Sequence, residues 1–275
     1  MNDVAVDATD DPQEVVERAG TFLAADPVRN NLVRTLVAAR IATPEPGRYW
    51  MVRRWDEVVG VVFQSPLDFA ATMTPMPASA AAAAAAVIAA EGVLLPGVHG
   101  EAATAACFAG HWTEHVRVGA EPAAGMRLYE LRTVEHPDVE GRLRRGTPTE
   151  RDLLVEWVDA FSAEVGEGPA MDIEAVVDRR LADGELWVWE TDHVVSMAAA
   201  SPPLDGVMRV AIVYTPPEQR GTGYASGCVA ALSERILADG HRPILYTDLG
   251  NPVSNSIYRR IGYRAVGECL RYRFG

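Results

Sequence analysis

Lysine is absent from this chain of 275 residues; all 25 of its lysine-plus-arginine positions are arginine. That removes the Walker A phosphate loop, which needs a lysine after its last glycine. Cysteine is scarce. Cys107, Cys228 and Cys269 are odd in number, widely spaced and never in a Cys-x-x-Cys pair, which argues against both a disulfide framework and a zinc site. Positive charge is also short, with 25 arginines against 38 acidic residues and a formal net charge of −13. A nucleic-acid partner would want a basic face, so none is expected. Long apolar runs are missing too. The longest, Ala78–Ala90, is ten alanines in thirteen residues, too short and too weakly apolar to span a bilayer. The first eleven residues are acidic and lack the basic region of a secretory signal. His111 and His115 stand four apart without the intervening glutamate of a zinc protease helix. These deficits lead us to expect a cytoplasmic protein with no metal, no membrane partner and no nucleic acid.

What is present is concentrated late in the chain. Val207–Tyr214 is a β-branched, apolar run with the pattern of a buried strand. Thr215-Pro216-Pro217 ends it, because proline cannot donate to a ladder and restrains the residue before it. Arg220-Gly221-Thr222-Gly223-Tyr224-Ala225 then leads into a helix-like run, Ser226–Asp239, closed by Gly240. Glycines without a Cβ let backbone amides approach a ligand, and a helix N-terminus offers unpaired N–H groups to an anion. A dinucleotide fingerprint fits poorly. It wants its glycines directly after the strand, whereas here a Pro-Pro-Glu-Gln spacer intervenes and Ser226 replaces the third glycine. Further on, Ile244–Thr247 reads as a strand. Asn251 stands at an N-cap, Pro252 at the first helical position, and Gly262 just past a helix over Val253–Ile261.

Together these two stretches resemble the coenzyme A signatures of the GNAT N-acetyltransferase superfamily. Arg220, Gly223 and Ala225 match its Arg/Gln-x-x-Gly-x-Gly/Ala loop, and Val213-Tyr214-Thr215-Pro216 resembles the strand end before that loop. The run Asn251-Pro-x-Ser-Asn255-x-Ile-Tyr258 resembles the helix on the other side of the coenzyme. The resemblance implies acetyl-CoA as co-substrate and transfer of its acetyl group to a primary amine on a small molecule or peptide. It implies that Arg220, Gly221, Thr222, Gly223, Tyr224 and Ala225 bind pyrophosphate. Val213, Tyr214 and Thr215 would pair with the pantetheine arm. Asn251 and Asn255 would also contact the coenzyme, and Tyr258 would donate a proton to the departing thiolate. No glutamate stands near Val207, where some members carry their base, so Glu164 becomes the candidate, with Glu190 behind it. A non-catalytic acyl-CoA-binding or sensing module is the alternative, and a monomer or homodimer is expected.

The chain read in order yields helices over 12–25 and from Pro27 to about Arg40, then a hairpin of Tyr49–Arg53 and Val58–Ser65. A short strand at Ala70–Thr74 precedes the alanine-rich helix. A strand at Val93–Val98, a helix over Glu101–His115 and a strand at Met126–Val134 follow. Glu135–Gly146 is polar and glycine-bearing, and reads as a boundary. Thr147-Pro148-Thr149-Glu150 is a capping box starting a helix to about Val165, followed by a helix over Asp172–Ala182 and a hairpin of Leu186–Glu190 and Val194–Ser201. This order repeats. Trp50, Val58 and Ser65 recur as Trp187, Val194 and Ser201, at offsets of 137, 136 and 136 residues. A repeat of half the chain means two copies of one domain. The expectation is an α/β (layered α+β) chain of two tandem GNAT-like domains, 1–140 and 141–275, each a mixed, mostly antiparallel sheet flanked by helices. Thr74-Pro75 matches Thr215-Pro216, but alanines follow where Arg-Gly-Thr-Gly should stand. The first copy therefore reads as degenerate.

Overall fold

The computed structural model describes residues 4–165 and 172–275. It divides into two compact units, the first built from Met1–Leu128, Thr247–Gly250 and Ala265–Gly275, the second from Tyr129–Tyr246 and Asn251–Arg264. The first three residues of the acidic start lie outside the described part.

The first half of the chain forms β1 (Val4–Thr9), α1 (Pro12–Ala25), α2 (Asn31–Ala42), β2 (Arg48–Arg54), β3 (Glu57–Gln64), β4 (Ala71–Met73), α3 (Ala78–Ala90), β5 (Gly97–Glu101), α4 (Ala102–Val116) and β6 (Ala120–Glu130). The second half forms β7 (Arg142–Arg145), α5 (Arg151–Val165), α6 (Ile173–Ala182), β8 (Leu186–Glu190), β9 (Val194–Ala200), β10 (Val207–Tyr214), α7 (Tyr224–Ala238), β11 (Arg242–Asp248), α8 (Pro252–Arg260) and β12 (Arg264–Phe274). The two lists have the same order, β-α-α-β-β-β-α-β-α-β. The repeat read from the tryptophans is therefore a repeat of the whole element sequence.

In the first unit, β1, β2, β3 and β4 pair antiparallel in turn, β4 runs parallel to β5, and β12 pairs antiparallel with β5. The last strand of the second half is thus a member of the first unit's sheet. On one face α1 and α2 cover Tyr49, Met51, Val61 and Phe63 with Val15, Leu23, Val33 and Val37. On the other, α3 and α4 cover Trp50, Val52, Val62 and Val98. Alternate residues of a strand face opposite sides, which is why Tyr49 and Trp50, neighbours in sequence, sit in different cores. The alanines of α3 do specific work here. Ala80, Ala81, Ala84 and Ala85 are buried against Ala105, Phe108, Ala109 and Trp112, and methyl-sized side chains let two helix backbones approach closely. The Thr104 hydroxyl accepts from the Met76 N–H and donates to the Met76 carbonyl, and the Cys107 thiol donates to the Ala78 carbonyl. These bonds tie the start of α3 to α4.

In the second unit, β7, β8, β9 and β10 pair antiparallel in turn, and β10 runs parallel to β11. Leu154, Trp157 and Val177 of α5 and α6 pack on Val188, Met197 and Tyr214. On the other face α7 and α8 cover Trp187, Trp189, Val195 and Ala198 with Cys228, Val229, Leu232 and Tyr258. The capping box forms as expected: Glu150 accepts from the Thr147 N–H at 2.8 Å. Arg144 joins that carboxylate and Glu190, at 2.5 and 2.7 Å. Hydrogen bonds from Arg144 and then Arg142 hold the Glu190 carboxyl down at about 2, so Glu190 ties β7 to β8 and is not a free base.

Several boundaries differ from the sequence reading. The helix expected from Pro27 begins at Asn31, because Asp26 caps a preceding turn through the Arg29 N–H. The strand expected at Val93–Val98 lies at Gly97–Glu101, and β6 begins at Ala120. Strand β7 lies inside the polar stretch read as a boundary.

Candidate active site

Strand β10 carries the local feature from which the site is built. Ala211 pairs with Ala199 and Tyr214 with Met197, so three steps on β10 oppose two on β9. The extra residue is a bulge, and Ile212 within it adopts φ 49°. A left-handed β-branched residue costs about 1–2 kcal/mol, so the surrounding structure must hold it there. Ser196, fully buried on β9, does part of this by donating to the Tyr214 carbonyl at 2.9 Å and meeting the Thr215 hydroxyl at 2.8 Å. Meanwhile the pairing of β10 with β11 ends at Arg209 and Ile244, although β10 runs on to Tyr214 and β11 to Asp248. The two parallel strands part, and a cleft opens between them.

A cavity of about 810 Å³ lies at that opening, wholly within the second unit. The loop from Arg220 to Ala225 forms one wall. Gly221 (φ 84°) and Gly223 (φ 92°) are both left-handed, a conformation glycine adopts without strain. A Cβ on Gly221 would meet open space, while one on Gly223 would press to 2.9 Å of Val139. The Thr222 hydroxyl donates to the Gln219 carbonyl and fixes the turn. Gly223 caps α7 without a side chain, and the first intrahelical bond runs from the Gly227 N–H to the Gly223 carbonyl. The N–H groups of Tyr224, Ala225 and Ser226, all cavity-lining residues, therefore have no partner within the helix. Amides at an N-terminus with no carboxylate in its first turn favour an anion.

Helix α8 forms the facing wall with Asn251, Val253, Ser254, Ile257 and Tyr258. Tyr258 is buried between Tyr129 and Tyr263, its ring 6.3 and 6.0 Å from theirs. Burial pushes its phenol up to about 12, so it stays protonated well beyond neutral pH. Asn251 caps α8 by accepting from the Ser254 N–H at 3.0 Å. Asn255 does not line the cavity. It is buried, accepts from the Tyr129 hydroxyl at 3.0 Å and donates to the Asn251 carbonyl at 2.7 Å, so its place is to brace α8 from behind. Val213, Tyr214, Thr215 and all six residues of the loop line the cavity.

Glu164, near the end of α5, lines it too, but its carboxylate pairs with Arg220 at 2.6 Å. Arg220 also donates to the Thr215 carbonyl at 2.9 Å and lies over the Tyr214 ring. Its side chain thus clamps the loop to the strand end, and the glutamate raises its already high pKa. Glu135, His136 and Pro137 also line it, as do Gln219, Arg260 and Ile261. The first three fall in the stretch read as a boundary, and nothing in their pattern marked them, because long-range ties bring them there: the Glu135 N–H donates to the Ile261 carbonyl and the His136 ring meets the Glu234 carboxylate at 3.0 Å. Among the described residues no cluster of His, Cys, Asp and Glu could hold a metal, and no helix is long and apolar enough to cross a membrane.

Among the described residues, the first unit has no counterpart to this loop wall. Where Arg220–Ala225 stands in the second copy, α3 begins directly on α4 through Met76, Ala78, Thr104 and Cys107.

Comparison with known proteins bears on the fold. Residues 192–272 match the family model described as FR47-like protein. The fold is similar to that of an acetyltransferase of the GNAT family from Colwellia psychrerythraea, with a TM-score of 0.64 at 9% identity over 98% of this chain and 100% of that one. It is similar also to a GCN5-related N-acetyltransferase from Sphaerobacter thermophilus (TM-score 0.63, 15% identity, 99% and 96% covered). A third is a tandem GNAT protein from the clavulanic acid biosynthesis pathway (TM-score 0.56, 12% identity, 98% and 97% covered). No curated protein matches by sequence. The chain is a tandem protein of GNAT fold, with the FR47-like segment in its second half.

Proposed function

We propose that the second half of the chain is an acetyl-CoA-dependent N-acetyltransferase and that the first half is a copy without coenzyme site. The observation that carries this reading is a single cavity flanked by a parted strand end, an unpaired helix N-terminus behind two left-handed glycines, and a buried protonated tyrosine. Acetyl-CoA would supply an activated acyl group on a thiol leaving group. The loop Arg220–Ala225 would take the pyrophosphate on main-chain amides, since its glycines leave room for phosphate oxygens and its helix dipole favours them. Val213–Thr215, free of a parallel neighbour, would hold the pantetheine arm by backbone pairing and place a main-chain N–H near the thioester oxygen. Tyr258 would donate its proton to the departing sulfur, a role suited to a phenol that stays neutral. At the acceptor edge Glu164 would take the proton released by the amine, exchanging its bond to Arg220 for one to the acceptor.

The reading is tested by thiol release from acetyl-CoA across a panel of small and peptide amines, with CoA affinity measured by calorimetry. Turnover with at least one amine is expected. Absence of any CoA association would end the proposal. The engagement of Glu164 with Arg220 favours a second reading, a module that binds acyl-CoA without turning it over. That reading gains if CoA binds tightly and no amine is acetylated.

A further inference from the structure

The second unit holds another cavity, of about 420 Å³, that shares no lining residue with the first. It opens at the opposite end of the sheet. Its walls come from the start of β8 (Trp187), the start of β10 (Met208) and the last turns of α7 (Leu232, Arg235), whereas the first cavity lies at the end of β10 and the start of α7. Its volume falls within the usual range of small-molecule pockets, about 300–1,000 Å³.

What distinguishes it is a tryptophan faced by two arginines. The Arg145 guanidinium lies 5.3 Å and the Arg235 guanidinium 5.2 Å from the Trp187 ring centre. Trp187 is itself 8% exposed and set in the core, and it gives these two exposed arginine side chains a common ring to lie against. A guanidinium that packs by its face on an aromatic ring keeps its N–H edge free, and that edge is the two-pronged donor that matches carboxylate or phosphate. Among the described residues no carboxylate forms an ion pair with Arg145, Arg235 or the third lining arginine, Arg179. The buried carboxylate in the lining, Glu185, is already spent on Arg180 at 2.8 Å. Three arginines against two exposed aspartates, Asp183 and Asp239, leave the rest of the lining positive by one, on a chain whose formal charge is −13. Met208, Leu232 and Ile236 supply apolar lining, and Ser201 lines it too.

We propose that this cavity is a binding site for a small organic anion, an apolar body carrying one carboxylate or phosphate group that Arg145 and Arg235 receive. The site is independent of the thioester cleft, and its ligand is a regulator or a second substrate-like molecule rather than the coenzyme.

Calorimetric titration of the full chain with benzoate and with phenyl phosphate, at ionic strength matched with chloride, tests this, with benzamide as the neutral control. At least one anion is expected to bind, and benzamide not. Phenyl phosphate alone would assign a phosphate ester, benzoate alone a carboxylic acid. The double substitution Arg145→Gln with Arg235→Gln should weaken binding by about tenfold or more, as loss of charge-assisted hydrogen bonds requires. Arg235→Lys keeps the charge and the fold but not the fork, and should also weaken it. CoA affinity, titrated separately, should be the same in these variants, so a failure here and a failure of the thioester reading are told apart. No heat with either anion, equal affinity after both substitutions, or benzamide binding as tightly as benzoate would overturn the proposal.

Discussion

Tyr258 shows how one side chain can be both core and reagent. Its ring belongs to the cluster under α7 and α8, and the residue also lines the cavity. Tyr258→Phe keeps the ring packing and removes only the hydroxyl. Turnover should fall by about 10²–10⁴-fold, the usual worth of a general acid, with CoA affinity changed little; equal turnover would remove the tyrosine from the chemistry. Because burial raises its pKa to about 12, loss of its proton cannot set the alkaline limb of a rate profile below that pH. Glu164→Gln addresses the other proton. A drop of about 10² or more would assign it the acceptor's proton, and unchanged turnover would hand that step to solvent. His99 makes a separate prediction about stability. Burial, with Arg271 beside it, lowers its pKa from 6.5 to about 4. A depressed histidine favours folding above 6.5, and that contribution is lost as pH falls toward 4, by up to about 3 kcal/mol. Denaturant titrations at pH 7 and pH 4.5 should show the loss, and His99→Gln should reduce it.

The elements that frame the site divide into those with strong local signals and those without. Helices α1, α3, α5, α7 and α8 carried proline, capping residues or closing glycines, and the capping box at Thr147 and the N-cap at Asn251 form in the structure. Strands β1 and β7 were invisible to pattern. Both are short; β1 mixes acidic and small residues, β7 is Arg-Leu-Arg-Arg, and only pairing with β2 and β8 makes them strands. Start points of α2 and β5 shifted for a related reason, since the tertiary register decides where a weak signal begins. The loop wall was legible because its conformation demands glycine. Gly223→Val would combine a left-handed β-branched residue with a Cβ at 2.9 Å from Val139, costing about 1–3 kcal/mol and abolishing measurable CoA binding. In the first unit the analogous test is Ala84→Leu. It would overpack the α3–α4 contact, lowering stability by about 1–3 kcal/mol with no effect on CoA affinity.

At the scale of the molecule, sequence alone revealed the duplication through Trp50 and Trp187, each on the second strand of its copy and each buried. It could not reveal that β12 joins β5, because the partner of an edge is set by long-range pairing and leaves no periodicity. The difference between the copies was legible, since alanines replaced Arg-Gly-Thr-Gly, and the physical consequence is a helix pair closed by Thr104 and Cys107 where a ligand wall stands in the other copy. That contrast yields a stoichiometry. If coenzyme binding needs left-handed glycines before an uncapped helix and a neighbouring strand pair that has parted, only the second half supplies both, and calorimetry should return one CoA per chain. Amide hydrogen exchange on the bound protein should slow across Val213–Ser226 and at the start of α8, where the lining lies. The segment from Met76 to Val116 should exchange at its unliganded rate. Two equivalents of CoA, or protection spreading through α3 and α4, would mean that close packing of alanine helices does not exclude the ligand, and that the missing glycines were never the reason for the asymmetry.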